Sequence, residues 1–263
     1  MLDDLIAQLK ALHLYGMAQA LTDLAADPAA PAQPPTHWVK QLIEAERADR
    51  QARTLRYQMK AARFPLHRDL AAFDFQESAV SEPRLRALAS AEFTRNAHNL
   101  IFVGGTGTGK SHLATALGVA AIQHGKRVRF FNGVDRVNQL EREKQLGKSG
   151  ALARQLIQID AVILDELGYL PFSSAGGALL FHLCSHLYEK TSLIITTNLS
   201  FGEWVQFGRR QNDHGAPRPS HPPPRYSRNR ERLLPLQTAE KVHLTPGYFW
   251  TLFPGYFSTL IDT

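Results

Sequence analysis

Gly104-Gly105-Thr106-Gly107-Thr108-Gly109-Lys110-Ser111 has the residue types and spacing of a loop that wraps a polyphosphate. Backbone N–H groups can converge on an anion only where the chain curls tightly, and Gly104, Gly105, Gly107 and Gly109 supply that freedom, positive φ included. Lys110 adds a mobile charge for the β- and γ-phosphates at a helix N-terminus, whose dipole has the same sign. Ser111 offers a hydroxyl to Mg²⁺, a cation that takes oxygen ligands and shares them with phosphates. Thr106, Thr108 and His112 complete the set of candidate nucleotide contacts.

A second constellation begins 55 residues after Lys110, where the apolar run Ala161-Val162-Ile163-Leu164 ends in Asp165-Glu166. A carboxylate at a strand end can hold the Mg²⁺ shell beside Ser111, and its neighbour can orient and polarise an attacking water. Asp165 takes the first role and Glu166 the second. A third run, Ser192-Leu193-Ile194-Ile195-Thr196-Thr197, ends in Asn198. Ligands of open parallel sheets sit at the carboxyl ends of the strands, so Asn198 can meet the γ-phosphate or the water. The catalytic candidates are Lys110, Asp165, Glu166 and Asn198, with ATP and Mg²⁺ as cofactors and Ser111 and Asp165 as metal-holding groups.

These residues need a frame. Leu100-Ile101-Phe102-Val103 reads as the strand before the loop and Ser111–Leu117 as the helix after it; strands are expected at Arg127–Phe131, Ala161–Glu166 and Ser192–Asn198. Helices are expected between them, with Gly125 as a stop and a long helix over Ser174–Lys190. Upstream, Leu2, Leu5, Ile6, Leu9 and Leu12 share a helix face that Leu14, Met17, Leu21 and Leu24 can continue after a bend near Gly16. A Pro/Ala linker follows, and Thr36 can cap a helix over His37–Arg63. On it Arg53, Arg56, Lys60 and Arg63 recur at spacings of three and four. That stripe can lie along a phosphate backbone, or be a solvated face balanced by Glu44, Glu46 and Asp49. Phe73 and Phe75 can line an adenine pocket or seal a domain junction, and the junction is the simpler expectation.

The 263 residues allow one nucleotide-binding domain and a smaller unit. No apolar run approaches the roughly 20 residues that span a bilayer. Met1-Leu2-Asp3-Asp4 has no basic n-region, so no secretory signal is expected. A lone Cys184 cannot make an internal disulfide, which fits a cytoplasmic location. The net charge of +6 argues little for nucleic acid by itself. Residues 1–100 hold twelve basic and twelve acidic side chains, and most of the excess follows Gly208.

With these motifs assembled, the chain resembles the IstB-like helper ATPases of insertion-sequence transposition, AAA+ relatives of the DnaC helicase loaders and of DnaA. The likeness covers roughly residues 1–206. It rests on Leu12-His13-Leu14-Tyr15-Gly16-Met17, Lys60-Ala61-Ala62-Arg63, the phosphate loop, Leu164-Asp165-Glu166-Leu167-Gly168-Tyr169 and Thr196-Thr197-Asn198-Leu199. It implies an α/β fold: a P-loop AAA+ type parallel sheet flanked by helices, preceded by a small all-helical N-terminal domain. It also implies a Mg-dependent ATPase that forms a homo-oligomer on duplex DNA and stimulates the transposase encoded by the same element. The resemblance tilts Arg53, Arg56, Lys60 and Arg63 toward DNA contact. The expected domains are 1–66 helical, 67–206 ATPase, and 207–263 an aberrant tail without regular structure. The alternatives are a replicative helicase loader, which a neighbouring transposase gene would argue against, and a non-hydrolysing ATP-gated DNA adaptor.

The family pattern breaks after Glu203-Trp204. Relatives continue with an Asp-Arg-Leu element, whose arginine is the expected arginine finger or sensor, and then a Thr-His-His strand; here the chain runs into Pro222-Pro223-Pro224 and Gly247-Tyr248-Phe249-Trp250. Ser220-His221-Pro222-Pro223 can be written TCT-CAC-CCA-CCA-C, which one base later reads Leu-Thr-His-His. Arg228-Asn229-Arg230-Glu231, written CGA-AAC-CGG-GAA-C, likewise gives Glu-Thr-Gly-Asn. The chain from about Phe207 therefore reads as translated out of frame, and gene codons that cannot yield those strings would sink this reading. A Pro/Arg-rich arm that binds nucleic acid is the competing view.

Overall fold

The structure is a computed structural model that describes residues 1–28, 33–78, 80–168, 174–199 and 259–262. Its centre is a parallel sheet in the order β2-β3-β4-β1-β5. The strands are β1 (Leu100–Val103), β2 (Val128–Asn132), β3 (Ala161–Leu167), β4 (Ser192–Thr197) and β5 (Thr259–Asp262). β1, the segment Ala161–Leu164 of β3 and the segment Leu193–Ile195 of β4 are unbroken apolar runs because parallel strands are covered on both faces. The connecting helices are α5 (Lys110–Gln123) after β1, α6 (Gly133–Gln145) and α7 (Ala151–Leu156) after β2, and α8 (Ser174–Leu187) after β3. Each expected strand lies within a residue or two of its expected place.

Two apolar clusters fill the faces of the sheet. Phe102, Leu113, Leu117, Phe130 and Ile163 belong to one. Val137, Leu152, Leu164, Leu183 and Ile195 belong to the other, with the buried Cys184, whose thiol is pushed up to about 12 by desolvation. Cys184 is packing, in keeping with its apolar helical setting.

Before the sheet come α1 (Leu2–Ala11), α2 (Tyr15–Ala26), α3 (Pro35–Ala62) and a short α4 (Glu82–Leu88). α3 starts two residues earlier than a Thr36 cap implies: Pro35 takes the first helical position, where its missing N–H costs nothing, and Thr36 lies inside. The helix ends at Ala62, so Arg63 sits at its cap in a left-handed conformation, φ 60°. The last turn of α3 does not belong to a detached unit. Met59, Ala62 and Phe64 join the first core cluster, and a Cβ on Gly118 of α5 would stand 2.9 Å from the Phe64 ring.

α2 and α3 are joined by a buried carboxylate. Glu46, only 5% exposed, accepts from the Gly16 and Met17 N–H groups at the start of α2, 2.9 and 3.3 Å away, and from Arg50 Nε at 2.6 Å. The Arg50 hydrogen bond, helped by the two backbone N–H groups, holds this carboxyl below the usual glutamate range against the opposing effect of burial. Gly16 permits the approach, since a Cβ there would lie 2.5 Å from the Ala45 carbonyl oxygen. A carboxylate with a depressed folded pKa stabilises above its unfolded value of about 4.3 and loses that contribution as pH falls through the folded value. Glu46→Gln should therefore cost about 1–3 kcal/mol at neutral pH and flatten the acid limb of the stability profile. Denaturant titrations from neutral to acidic pH check this, and an unchanged acid limb would contradict it.

No regular structure is expected from the sequence after residue 206. Thr259–Asp262 departs from that: this segment pairs in parallel with β1, Leu100 opposite Thr259 and Val103 opposite Asp262. A short extended segment can complete a sheet edge from any distance in the chain, which periodicity cannot foresee. The remainder of 207–263, with the Pro/Arg and aromatic stretches, lies outside the described residues.

Candidate nucleotide site

At the carboxyl ends of the strands the phosphate loop, Glu166 and the end of β4 line a cleft of about 300 Å³. Thr106, Gly107, Gly109, Lys110, Ser111 and His112 form one wall, and Glu166, Thr196, Thr197 and Asn198 the other. Gly107 and Gly109 adopt φ of 83° and 85°, a region closed to most side chains. Gly104 and Gly105 do not have positive φ, so the freedom expected of all four glycines is used at two of them. Gly109 is further constrained, because a Cβ there would lie 2.6 Å from Phe73 Cε2.

Lys110, first residue of α5, donates to the Gly105 carbonyl at 2.5 Å and lies 3.4 Å from Thr108 Oγ1. Burial lowers its pKa, and the negative charges of Asp165 and Glu166 oppose that shift. The cation thus faces two carboxylates across the cleft, the field a triphosphate with its metal would have to match. Ser111 Oγ donates to Asp165 Oδ1 at 2.8 Å, across 54 residues of sequence. The hydroxyl and carboxylate expected to share a cation are adjacent, and both are hard oxygen donors of the kind Mg²⁺ takes.

Asp165 is buried at 6% exposure, whereas Glu166 is exposed to the cleft. The difference comes from a bulge. β3 and β4 pair in step from Ala161 opposite Ser192 to Leu164 opposite Ile195, then resume at Leu167 opposite Thr197. Asp165 and Glu166 together face the single residue Thr196, and Glu166 has φ 58°. Bulges re-aim side chains beside functional sites, and this one turns Glu166 out of the sheet plane toward the phosphate loop.

Glu166 is held by a residue that the motifs do not single out. Asn132, last in β2, donates from Nδ2 to Glu166 Oε2 at 2.9 Å. Its Oδ1 accepts from the Val134 and Asp135 N–H groups at 3.0 and 3.5 Å, capping α6. An Asn between a strand and a helix is recognisable as a cap. Its hold on Glu166 is not, because that requires β2 beside β3 with Asn132 opposite Asp165. One side chain therefore links the start of α6 to the Glu166 carboxylate.

Phe73 and Phe75 are edge-on at 5.0 Å, and Phe73 packs against the His112 ring at 5.3 Å. His112 in turn reaches the Asp69 carbonyl at 2.9 Å. This cluster braces the outside of the phosphate loop against the segment that follows α3, and Phe73 and Phe75 pack against the first core cluster.

The profile of the IstB-like ATP binding protein family matches residues 7–212. This chain belongs to that family. The ATP-binding protein named for insertion sequence IS5376 of Geobacillus stearothermophilus is 34% identical over 194 residues, 73% of this chain and 77% of the relative. The one named for insertion sequence IS21 of Pseudomonas aeruginosa is 34% identical over 215 residues, 81% and 78% of the two chains. Among solved structures, the DnaC helicase loader is 28% identical, with 45% of this chain and 68% of that one covered and a TM-score of 0.41. The family match ends at residue 212, close to where the sequence pattern breaks near Phe207.

The basic stripe of this IstB-like chain divides once folded. Arg53 is committed to the helical hairpin: it pairs with Asp49 at 2.8 Å and Glu46 at 3.4 Å, and lies 5.1 Å over the Tyr15 ring. Arg56 and Lys60 remain exposed along α3, and Arg56 makes a 3.4 Å contact to the Ala52 carbonyl of its own helix. Arg63, beyond the helix, is exposed and near Arg136 of α6, which stacks 3.5 Å over Phe131. Desolvation lowers the Arg136 pKa to about 10 against the opposing charge of Asp135, and the like charge of Arg63 adds a smaller push in the same direction as desolvation. Arg136 has no signal in its sequence context, since only the packing of α3 against β2 brings α6 near it. Among the described residues, no helix is long and apolar enough to cross a membrane.

Proposed function

We propose that this chain binds and hydrolyses Mg-ATP, couples that cycle to duplex DNA, and acts as the helper of the transposase encoded by the same insertion sequence. The observation that carries the enzymatic part is the 2.8 Å contact of Ser111 with Asp165, with Glu166 next to it on the wall opposite Lys110. Lys110 and the loop backbone hold the phosphates, Glu166 takes a proton from a positioned water, and Asn198 orients the γ-phosphate end. Ser111 and Asp165 would hold Mg²⁺, which supplies positive charge to the oxygens of the transferred phosphoryl group. The test is turnover of the full chain with and without duplex DNA, with Lys110→Ala as the blank. Turnover above the blank, raised by DNA, is expected; a rate equal to the blank under both conditions would overturn the hydrolytic reading.

Support for the DNA part is the exposed row of Arg56, Lys60 and Arg63, which Arg136 extends onto the ATPase domain, together with the insertion-sequence names of the relatives. Each phosphate contact contributes about 0.9 to the slope of log affinity against log salt, so Arg56→Gln with Lys60→Gln should flatten it by about 1.8. Binding titrations at several salt concentrations measure this, and an unchanged slope would remove α3 from the interface. Arg53→Gln should instead loosen the helical hairpin, because its charge is already paired. Assembly into a homo-oligomer on the duplex belongs to the same proposal. A second reading, an adaptor that binds ATP without hydrolysing it, draws on the family match ending at residue 212, before any Asp-Arg-Leu element. Nucleotide binding without turnover would favour it.

A further inference from the structure

We propose that Thr196 is a positioning residue that sets both acidic groups of the cleft, acting through Asp165 and Glu166 without touching the nucleotide phosphates. This rests on the hydrolytic reading above and gives a task to a residue that neither the motif nor the family resemblance assigned. The bulge takes the Glu166 N–H out of register with the β4 backbone. Thr196 Oγ1 accepts that N–H at 2.9 Å. A hydroxyl has one proton to give, and Thr196 gives it to Asp165 Oδ1 at 2.5 Å. Both halves of one side chain are thereby committed, one to each carboxylate-bearing residue.

The setting makes that hydroxyl hard to replace. Thr196 is 1% exposed, so bulk water does not stand in for it. Glu166 keeps its left-handed φ only while something satisfies its N–H there, and a backbone in that region relaxes when its surroundings cease to fix it. Asp165 Oδ1 accepts from Ser111 as well as from Thr196, and only the Thr196 donor lies inside the sheet. Thr196 therefore fixes which oxygen Asp165 turns toward Ser111, and fixes the direction in which Glu166 leaves the strand. Residues that orient ligating groups in this way change metal affinity or activity by about 10–100-fold when removed.

The variants are Thr196→Val, which keeps the β-branched shape in a central strand and deletes the hydroxyl, and Thr196→Ser, which keeps the hydroxyl. Both are made in the full chain and read with a fluorescent ATP analogue, first in EDTA and then across a Mg²⁺ titration, followed by turnover with duplex DNA. For Thr196→Val, affinity in EDTA should stay near that of the parent, because the phosphate loop is untouched. The Mg²⁺ concentration for half-maximal response should rise about 10–100-fold. Turnover should fall about 10²-fold with KM little changed, as for a catalytic group displaced by an ångström, and Thr196→Ser should recover both. A parental Mg²⁺ response in Thr196→Val overturns the proposal. Loss of EDTA affinity and melting temperature in parallel, unrescued by Ser, also overturns it and leaves a packing role. If the parent chain binds nucleotide with a Mg²⁺ response but never turns over, the hydrolytic reading fails alone and the Mg²⁺ titration still decides Thr196. A parent without any Mg²⁺ response removes both.

Discussion

Lys110→Ala should abolish nucleotide binding at working concentrations while leaving the melting temperature in place. Among the described residues the ammonium contacts the Gly105 carbonyl and Thr108 Oγ1, both in its own loop, so its removal takes little from the fold. Ala is also the best helix former for the first position of α5. The loss falls on the ligand. A charge-assisted hydrogen bond is worth about 1.5–3 kcal/mol, and Lys110 is placed to reach two phosphate groups. The sum corresponds to a loss of affinity on the order of 10²–10⁴-fold. The Asp165 and Glu166 carboxylates across the cleft enlarge the effect, because without Lys110 the triphosphate meets two negative charges and one fewer positive one. Titration of a fluorescent ATP analogue, paired with thermal melting, measures both sides. Binding within a few-fold of the parent would mean that the cleft is not the nucleotide site.

Glu166→Gln should separate binding from chemistry. Glu166 is exposed to the cleft and tied to Asn132 through one oxygen, a contact that the carboxamide oxygen of Gln can keep. Its backbone hydrogen bond to Thr196 does not involve the side chain at all. The variant should fold, bind Mg-ATP with near-parental affinity, and turn over about 10²–10⁴-fold more slowly, the range a positioned general base contributes. Single-turnover hydrolysis with binding measured separately checks this. A parental rate would move the base to another residue. Affinity that falls together with turnover would place Glu166 in nucleotide binding instead.

The parts of the site written as continuous segments are legible in the amino-acid sequence. The phosphate loop specifies itself, since its glycines, lysine and serine act through their own backbone and their immediate neighbours. Even there Gly104 and Gly105 do not need the positive φ that a run of four glycines suggests, because torsions depend on how the loop is seated against Phe73 and the strand end. The Asp165-Glu166 pair is visible as carboxylates at a strand end, and the bulge that sends one inward and the other outward is not. The basic stripe shows the same limit from the other direction. Spacing places Arg53 and Arg63 with Arg56 and Lys60, yet Arg53 closes on Glu46 and Asp49, and the helix stops before Arg63.

The chain by itself thus determined the strand–loop–helix unit at residues 100–123, the order of helices and strands, and the kinds of group brought to the strand ends. Local propensity and the alternation of apolar and polar residues act over a few positions and are readable there. Tertiary structure alone decided that β4 inserts beside β1 and β3 beside β2, and the contacts of the two carboxylates follow from that order. It sets Asp165 against Ser111, Asn132 against Glu166, and Thr196 between the two carboxylates. Those contacts join residues 30 to 54 positions apart, and two of them stand on a bulge between strands. They arise from burying apolar faces on both sides of one sheet, a global condition that no short window of sequence contains.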